Sequence, residues 1–406
     1  MRNESLRIIM AGGGTGGHLY PGLAVAEALA VRTVAAGMHL DLVWAATPRA
    51  VDQRLLTQFG DRYVRQTVQP LTKSLRKLWA FWRGWRQTVK YWEKEFATNH
   101  ANCVVALGGY AAGPAAFVAA KRRIPVILLN PDALPGLANR FLLQHADVIV
   151  TQWPLEERFT RGLKKGGGEV KALGCPIRAE LLKKDRARGA MRFNLDPAKR
   201  TLVITGASLG ARTINDAFLR MLWSPKIRAA FEGRREGRGV GVGGESAWQI
   251  LHLTGLDQEA AVREVYKHWP EMGVEKGGGV RVIGYCDDMA SVWSVADLAI
   301  ARAGASTCAE LTACGVPSVL LPYPYHKDMH QRANAQELAK VGAAVIVEDK
   351  KRPEWNAVAI QKVLESLLYH DDRRLKMMDA ARAAGKPKAA DDIAAEILAR
   401  VGASVR

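Results

Sequence analysis

Short apolar runs alternate with longer amphipathic stretches along most of this 406-residue chain. The runs have the length of buried β-strands and the stretches have helical spacing, which predicts parallel sheets covered by helices on both faces. One series of runs predicts strands at 6–10, 40–46, 103–107, 125–129 and 148–151. A second series predicts strands at 201–205, 248–253, 280–283, 298–301, 318–322 and 343–347. We therefore expect an α/β protein with two Rossmann-like, doubly wound parallel-sheet domains.

The first predicted strand leads into a glycine-rich turn with the sequence AGGGTGGHLYP at positions 11–21. Glycines let the backbone approach an anion closely, and the first amides of the following helix have no partner within the helix. Such a turn binds phosphate, because the helix dipole places partial positive charge at the same end. His18 lies on this turn, where its side chain can take part in a reaction next to a bound phosphate.

The same turn has the G-x-G-x-x-G spacing of dinucleotide-binding proteins, at Gly12, Gly14 and Gly17. A dinucleotide site also needs an acidic residue at the end of the second strand, and here that strand ends in Thr47-Pro48-Arg49. This departure disfavours a nicotinamide cofactor. A purely structural turn would explain the glycines but not the histidine.

The composition favours an acidic partner and a reducing compartment. Lys and Arg number 58 against 40 Asp and Glu, a net charge of +18 that suits nucleic acid, a phosphorylated substrate or an anionic membrane. The five cysteines form no C-x-x-C pair, so neither a disulfide framework nor a zinc site is indicated. No window approaches the ~20 apolar residues that span a bilayer, and the N-terminus lacks the apolar core of a signal peptide. We therefore expect a soluble or peripherally attached protein of the cytoplasm.

The segment 71–96 interleaves large aromatic residues with lysines and arginines at helical spacing. This composition is typical of a helix in an anionic membrane interface, and Trp79, Trp82 and Trp85 are its candidate membrane-association residues. The same pattern could instead form a helix whose aromatic face packs in the core, or contact nucleic acid. The number of tryptophans in one short segment favours the membrane.

Further loops after predicted strands carry candidate site residues. Glycine-rich loops at 108–114 and 206–215 can line an acceptor and hold a phosphate, respectively. In the segment 301–310, Glu310 follows a glycine turn and could take both hydroxyls of a ribose. The polar run 326–334 offers groups suited to sugar hydroxyls. His326, Asp328 and His330 lack further metal ligands at convincing spacing, and no G-x-S-x-G elbow of a hydrolase occurs.

Taken together, these motifs resemble glycosyltransferase family 28, and the resemblance covers nearly the whole chain. It rests on the segments 12–21, 108–114, 135–140, 174–178, 208–215, 287–289, 301–310 and 326–334. The resemblance implies a GT-B fold, in which two Rossmann-like domains face a cleft. It places an N-terminal acceptor and membrane-side domain at 1–165 plus the C-terminal helix 389–406, and a UDP-sugar-binding domain at 166–388.

The resemblance further implies an inverting transferase of peptidoglycan synthesis, without cofactor or bound metal. Such an enzyme moves N-acetylglucosamine from UDP-N-acetylglucosamine to the 4-hydroxyl of undecaprenyl-diphospho-N-acetylmuramoyl-pentapeptide. Its expected location is the cytoplasmic face of the inner membrane, as a peripheral protein. Its expected partners are the two substrates, an anionic membrane surface and further wall-synthesis proteins, but no nucleic acid.

The resemblance also assigns roles to single residues. His18 is the expected catalytic base, since an imidazole with an ordinary pKa of about 6.5 suits proton removal near neutrality. The expected donor-binding residues are Thr15, Gly16, Gly17, Asp132, Arg178, Ser208, Cys286, Ala305, Ser306, Thr307, Glu310, His330, Gln331 and Asn334. The expected acceptor-binding residues are Gly13, Gly14, Gly108, Gly109, Tyr110 and Asn139.

Three positions depart from the family pattern and bear on the donor sugar. Asp132 stands where the family commonly has an asparagine, Leu209 replaces a glutamine, and His330 replaces the first of two glutamines. A related glycolipid transferase with another donor or acceptor is therefore the alternative enzyme. A UDP-sugar or lipid-diphosphate binding protein without turnover is the alternative from another class.

Overall fold

The computed structural model describes residues 5–71, 74–161, 163, 168–207, 210–232, 248–269, 279–325 and 328–402. These residues form two compact units. The first comprises Met1–Arg178 with Lys386–Arg406, and the second comprises Ala179–Gly385.

Parallel strands of the first unit form one sheet of seven within the described residues. The strands are β1 (Ser5–Gly12), β2 (His39–Ala46), β3 (Tyr63–Arg65), β4 (Cys103–Gly108), β5 (Val126–Asn130), β6 (Val148–Thr151) and β7 (Glu169–Lys171). Their order across the sheet is β3-β2-β1-β4-β5-β6-β7. The helices that follow them are α1 (Gly16–Ala35), α2 (Ala50–Leu56), α3 (Leu75–Thr98), α4 (Gly113–Lys121), α5 (Leu137–Leu143) and α6 (Glu157–Thr160). A 3₁₀ segment, Thr57–Arg62, follows α2.

The second unit repeats this arrangement with six parallel strands among its described residues. They are β8 (Arg200–Thr205), β9 (Trp248–Leu253), β10 (Val280–Ile283), β11 (Ala296–Ala301), β12 (Ser318–Leu320) and β13 (Ala344–Ile346). The sheet order is β10-β9-β8-β11-β12-β13. Its helices are α7 (Arg186–Phe193), α8 (Arg212–Met221), α9 (Pro225–Phe231), α10 (Glu259–Lys267), α11 (Met289–Val295), α12 (Ala305–Ala313), α13 (His330–Lys340), α14 (Pro353–Tyr369) and α15 (Asp371–Ala384). Short 3₁₀ segments lie at Ala179–Leu182 and Leu256–Gln258, and the last helix, α16 (Ala389–Arg400), belongs to the first unit.

Alternate residues of each central strand face opposite sides of the sheet, so each unit has apolar residues on both faces. On β1, Ile8 and Met10 pack with α1 and α16, whereas Ile9 and Ala11 pack with α3 and α4. A strand buried on both faces reads as a continuous apolar run, which is why the sequence pattern located the central strands. All eleven predicted strands are confirmed, with ends that shift by at most two residues.

The structure adds two strands that the sequence did not indicate, β3 and β7. Each has only three residues and lies at an edge of the first sheet, too short to form a continuous apolar run. β7 pairs with β6, which keeps the chain in the first unit as far as Arg178. The first unit therefore extends beyond the boundary at 165 that the sequence suggested.

Candidate active site

Each sheet has a position at which its strand order reverses, and ligands of open α/β sheets bind beyond the carboxyl ends of the strands that meet there. In the first unit these strands are β1 and β4, and in the second they are β8 and β11. The predicted glycine-rich loops follow these four strands. Topology therefore places one candidate site in each unit.

In the first unit, His18 lies in the first turn of α1 and is half-buried. Its Nδ1 lies 3.1 Å from the carbonyl oxygen of Gly13 and 3.2 Å from Oγ1 of Thr15. A carbonyl oxygen only accepts, so the Gly13 contact selects the tautomer with its proton on Nδ1. That tautomer carries its lone pair on Nε2, the nitrogen that can act as a base.

The loop after β4 meets this histidine. A Cβ at Gly109 would lie 3.0 Å from Cε1 of His18, and Gly109 also has a φ of +75°. A Cβ at Gly108 would lie 3.2 Å from both Cδ2 of His18 and Oδ1 of Asn139. The structure thus brings together the predicted base and three predicted acceptor residues, at a spacing that requires glycine.

Further predicted residues of this unit surround the same loops. Tyr110 lies under the guanidinium of Arg49, whose Nη1 donates to the carbonyl of Gly14 at 3.1 Å. Asn139 donates to Oδ1 of Asn130 at 2.9 Å, and Asn130 in turn donates to the backbone carbonyl of Asp132 at 2.9 Å. Asp132 is thereby tied to Asn139.

Arg178 lies in the first unit, at the end of the segment Met1–Arg178. Its guanidinium stacks 5.2 Å from the ring centroid of Tyr20, one turn after Gly16 and Gly17 in α1. The expected domain boundary placed Arg178 in the donor domain, so its assignment to the first unit is a difference from the sequence prediction. The cause is the pairing of β7, which precedes it.

In the second unit, the loop between β8 and α8 is folded too tightly for side chains at its glycines. A Cβ at Gly210 would lie 2.1 Å from the carbonyl oxygen of Thr254. Asn215 of α8 donates to the same carbonyl at 2.9 Å and accepts from Nε2 of His252 at 3.1 Å. The predicted diphosphate residue of this loop, Ser208, lies outside the described residues, as does Leu209.

The loop between β11 and α12 carries further residues that the sequence predicts to bind the donor. Gly304 is the N-cap of α12, and Ala305, Ser306 and Thr307 form its first turn. The Oγ of Ser306 is buried and has no hydrogen-bond partner among the described residues. The free amides of a helix N-terminus and such a hydroxyl suit a phosphate oxygen.

Glu310 lies one turn further along α12, and its Oε2 accepts from the indole Nε1 of Trp293 at 2.8 Å. Trp293 is buried in α11, which begins at its N-cap, Asp288. The hydrogen bond from the rigid indole fixes the orientation of the carboxylate. This arrangement suits the recognition of a vicinal diol such as that of a ribose.

The start of α13 holds the residues expected near the sugar. Oε1 of Gln331 accepts from the backbone N–H of Tyr323 at 2.9 Å, and Nδ1 of His330 lies 2.7 Å from Asp328. Asn334 differs from the expectation, because it is fully buried and donates to the carbonyl of Ala303 at 3.0 Å. It braces the loop before α12. His326 lies outside the described residues.

Cys286 lies on the loop before α11, with its Sγ directed to the carbonyl of Asp288 at 3.6 Å. Burial raises the pKa of this thiol, so it stays protonated near neutrality. The Cys286 thiol can therefore contact the nucleobase of a nucleotide as a neutral, weakly polar group.

Comparison with known proteins shows the family to which this chain belongs. Residues 8–151 match the glycosyltransferase family 28 N-terminal domain, and residues 201–393 match the glycosyltransferase family 28 C-terminal domain. The UDP-N-acetylglucosamine--N-acetylmuramyl-(pentapeptide) pyrophosphoryl-undecaprenol N-acetylglucosamine transferase of Desulforamulus reducens is 30% identical over 96% of this chain and 97% of its own length. The transferase of the same name from Moorella thermoacetica is 33% identical over 98% of this chain and 99% of its own.

The chain belongs to glycosyltransferase family 28. Both the resemblance inferred from the sequence motifs and the prediction of a glycosyltransferase are confirmed.

Solved structures agree with the GT-B fold expected for a family 28 enzyme. The crystal structure of Acinetobacter baumannii MurG superposes with a TM-score of 0.68 at 25% identity, covering 97% of this chain and 99% of that one. A UDP-GlcNAc 2-epimerase from Neisseria meningitidis shares the fold, with a TM-score of 0.62 at 13% identity over 97% of this chain and 100% of its own.

The first half of α3 carries the predicted membrane-association residues of this family 28 chain. Trp79 and Trp82 are 65% and 53% exposed, and Leu75 lies one turn before Trp79 on the same side of the helix. Trp85 differs, since it is half-buried and packs against Phe117 and Phe141 of α4 and α5. The second half of α3 packs in the core through Trp92 and Phe96.

Sequence reasoning missed Trp293. It lies in a stretch that reads only as a short apolar helix, and its role depends on the approach of α11 to α12, which no local pattern reveals. Within the described residues, no group of three or more His, Cys, Asp or Glu side chains could hold a metal ion. In the same part of the chain, no helix has the length and apolar character needed to cross a membrane.

Proposed function

We propose that this family 28 chain transfers N-acetylglucosamine from UDP-N-acetylglucosamine to the undecaprenyl-diphospho-linked N-acetylmuramoyl-pentapeptide of peptidoglycan synthesis. The observation that carries the proposal is the similarity to transferases of that printed name, which extends over nearly the full length of both chains. In this proposal the first unit binds the acceptor and supplies the base, and the second unit binds the donor.

The reaction needs a base for the acceptor. The 4-hydroxyl oxygen of N-acetylmuramic acid forms a bond to the anomeric carbon as the bond from that carbon to UDP breaks, and the hydroxyl proton passes to Nε2 of His18. The Gly13 carbonyl holds the proton of the same ring on Nδ1 and stabilises the imidazolium that forms. The imidazolium then returns its proton to solvent.

The reaction also needs stabilisation of the leaving UDP. The first N–H groups of α12 and the hydroxyl of Ser306 donate to the diphosphate oxygens and stabilise the negative charge that develops there. Glu310, held by Trp293, binds the ribose hydroxyls and keeps the nucleotide in register. Fixed donors of this kind lower the barrier because they need no reorganisation during the reaction.

The exposed half of α3 supports the further proposal that the chain attaches to an anionic membrane surface, on the cytoplasmic side where UDP-sugars are made. Positions 75–92 contain no acidic residue, and the exposed side chains of Arg76, Lys77, Arg83, Arg86 and Lys90 accompany the exposed tryptophans. Tryptophan rings favour the headgroup region, and cations favour anionic lipid.

The proposed reaction is tested by measuring UDP release from UDP-N-acetylglucosamine with and without a short-chain analogue of the lipid-linked acceptor. We expect release that depends on the acceptor. Loss of a general base costs about 10²- to 10⁴-fold, so His18→Ala is expected to lower kcat by that amount with little change in the KM for the donor.

His39→Ala is the matched control, because His39 is an exposed histidine of the same unit, at the start of β2. It is expected to keep wild-type kinetics. Acceptor-dependent release that survives in His18→Ala contradicts the role of His18. Release that requires another sugar nucleotide or another glycolipid favours the alternative transferase, and tight donor binding without any release favours a binding protein.

A further inference from the structure

Asp52 is a fully buried carboxylate in the first turn of α2, outside every motif that the sequence singled out. Burying a carboxylate is costly unless donors surround it. The arrangement of its donors therefore shows what this side chain holds in place.

Both oxygens of Asp52 accept from the glycine-rich loop. The backbone N–H of Gly14 lies 2.9 Å from Oδ1 and 2.8 Å from Oδ2. Thr47, at the end of β2, adds its N–H at 2.9 Å and its hydroxyl at 2.6 Å, both to Oδ2. Asp52 thus ties the loop after β1 to the end of the neighbouring strand β2.

The neighbouring glycine shows how closely the loop packs on this carboxylate. A Cβ at Gly13 would lie 2.4 Å from Oδ2 of Asp52, so the backbone rests directly against it. On the other side of the same peptide segment, Arg49 donates to the carbonyl of Gly14. Gly14 is thereby held at both its N–H and its C=O.

The carbonyl of Gly13 belongs to the peptide group whose N–H donates to Asp52. It lies 3.1 Å from Nδ1 of His18. One rigid peptide plane therefore joins the buried carboxylate to the imidazole, because the N–H of Gly14 and the C=O of Gly13 are parts of the same amide.

We propose that Asp52 is a positioning residue, which holds the Gly13–Gly14 peptide so that its carbonyl fixes the tautomer and orientation of the His18 ring. This inference rests on the proposed function, in which Nε2 of His18 takes the acceptor proton. Asp52 is fully buried, so it acts through the peptide plane.

Asp52→Asn tests the inference with nearly unchanged shape. Oδ2 accepts from the N–H of Gly14 and from the N–H and hydroxyl of Thr47, and Oδ1 accepts from the N–H of Gly14. The NH₂ group of an asparagine would therefore face an N–H donor in place of either oxygen. The peptide plane then tilts away. A misplacement of about 1 Å at a reacting group costs up to about 10²-fold. We therefore expect kcat to fall by about 10- to 100-fold, while the KM for UDP-N-acetylglucosamine stays within about twofold.

Two readouts separate positioning from a merely structural role. The imidazolium loses an acceptor for its Nδ1 proton, so the acid limb of the pH profile of kcat moves to lower pH, whereas partial unfolding would lower kcat equally at every pH. Nitrogen NMR of the His18 ring, assigned by comparison with His18→Gln, is expected to show the Nδ1–H tautomer in the wild type and a mixture in Asp52→Asn.

Asp41→Asn is the matched control. Asp41 lies on β2, is half-buried and pairs with Arg7 at 3.3 Å and with Arg62, without contact to the loop. Its loss is expected to lower stability but to leave kcat and the pH profile unchanged. Asp52→Glu keeps the carboxylate and is expected to restore part of the lost kcat.

If Asp52→Asn does not fold, Thr47→Val decides the question, because it removes the hydroxyl donor to Oδ2 and keeps the carboxylate. The loss of one hydrogen bond is worth about 0.5 to 1.5 kcal/mol, and we expect kcat to fall by about 2- to 10-fold. Wild-type kcat, pH profile and His18 tautomer in the folded variant would overturn the inference. Failure of the proposed function is distinct, since the wild type would then show no acceptor-dependent release of UDP.

Discussion

At the scale of single residues, the side chains that the proposed function uses are oriented by hydrogen bonds to neighbouring groups. Nδ1 of His18 is fixed by a backbone carbonyl, and one oxygen of Glu310 is fixed by the indole of Trp293. In each case the supporting contact fixes the orientation of the side chain, and the proposed function uses Nε2 of His18 and the carboxylate of Glu310. Such support is what distinguishes a site from a group of polar residues.

Replacing Trp293 by phenylalanine removes the hydrogen bond to Glu310 and keeps most of the packing. We expect the KM for UDP-N-acetylglucosamine to rise by about 2- to 10-fold, which corresponds to the roughly 0.5 to 1.5 kcal/mol of one ordinary hydrogen bond. Calorimetric titration with UDP and 2′-deoxy-UDP checks the cause, because the preference for the ribose hydroxyl is expected to fall.

The matched control for that substitution is Trp223→Phe, since Trp223 is an exposed tryptophan of the same unit. It is expected to leave both affinities unchanged. An unaltered preference for UDP over 2′-deoxy-UDP in Trp293→Phe would show that the indole does not orient Glu310 toward a ribose.

His252 predicts a dependence of stability on pH. Burial lowers its pKa from 6.5 to about 3, and the neutral ring bridges Tyr266 and Asn215. The unfolded chain binds a proton below pH 6.5 that the folded chain does not, so this group destabilises the fold as the pH falls from 6.5 toward 3, by up to about 1.4 kcal/mol per pH unit.

Urea denaturation at several pH values tests this prediction. His252→Gln is expected to lose less stability than the wild type between pH 6.5 and pH 4, because glutamine takes up no proton. His268→Gln, at an exposed position, should follow the wild type. Parallel loss of stability in His252→Gln and the wild type would mean that His252 does not titrate as a buried group.

At the scale of elements, α3 divides into two halves with different surroundings. Its second half packs against the sheet through Trp92, whose indole donates to Gln66 at 3.2 Å, whereas its first half exposes Trp79 and Trp82. The sequence showed that the segment is an aromatic and basic helix. It could not show which rings are buried, because that depends on where α4 and α5 lie.

Membrane attachment through α3 is tested by replacing Trp79 and Trp82 with serine. We expect the double variant to lose most of its sedimentation with vesicles of anionic lipid, and wild-type binding to weaken as salt rises. Trp355→Ser is the control, since Trp355 is 61% exposed on α14 of the second unit. Equal binding of the double variant and the wild type would contradict attachment through this helix.

The sequence predicts those features of the structure that have a local pattern, such as an apolar run or a glycine-rich loop. Central strands are buried on both faces, so their apolar runs located them, whereas the edge strands β3 and β7 have no such run. Glycine-rich loops located the two candidate sites. Asp52 and Trp293 left no local signal, because their roles arise from contacts between residues separated by 38 and 17 positions.

At the scale of the whole molecule, the two units share one arrangement of strands and loops. Both units have a parallel sheet whose order reverses beside its first strand, and both place a glycine-rich loop and a helix N-terminus at that point. In the proposed function, the first unit adds the base, His18, and the second adds a carboxylate for the ribose, Glu310.

The central claim is the transfer of N-acetylglucosamine to a lipid-linked muramoyl acceptor. The most direct measurement is mass spectrometry of the acceptor after incubation of the wild-type chain with a mixture of UDP-sugars and a short-chain acceptor analogue. The account predicts an acceptor heavier by one N-acetylhexosamine, absent with His18→Ala and present with His39→Ala. An acceptor of unchanged mass, or one that gains a different sugar, would contradict it.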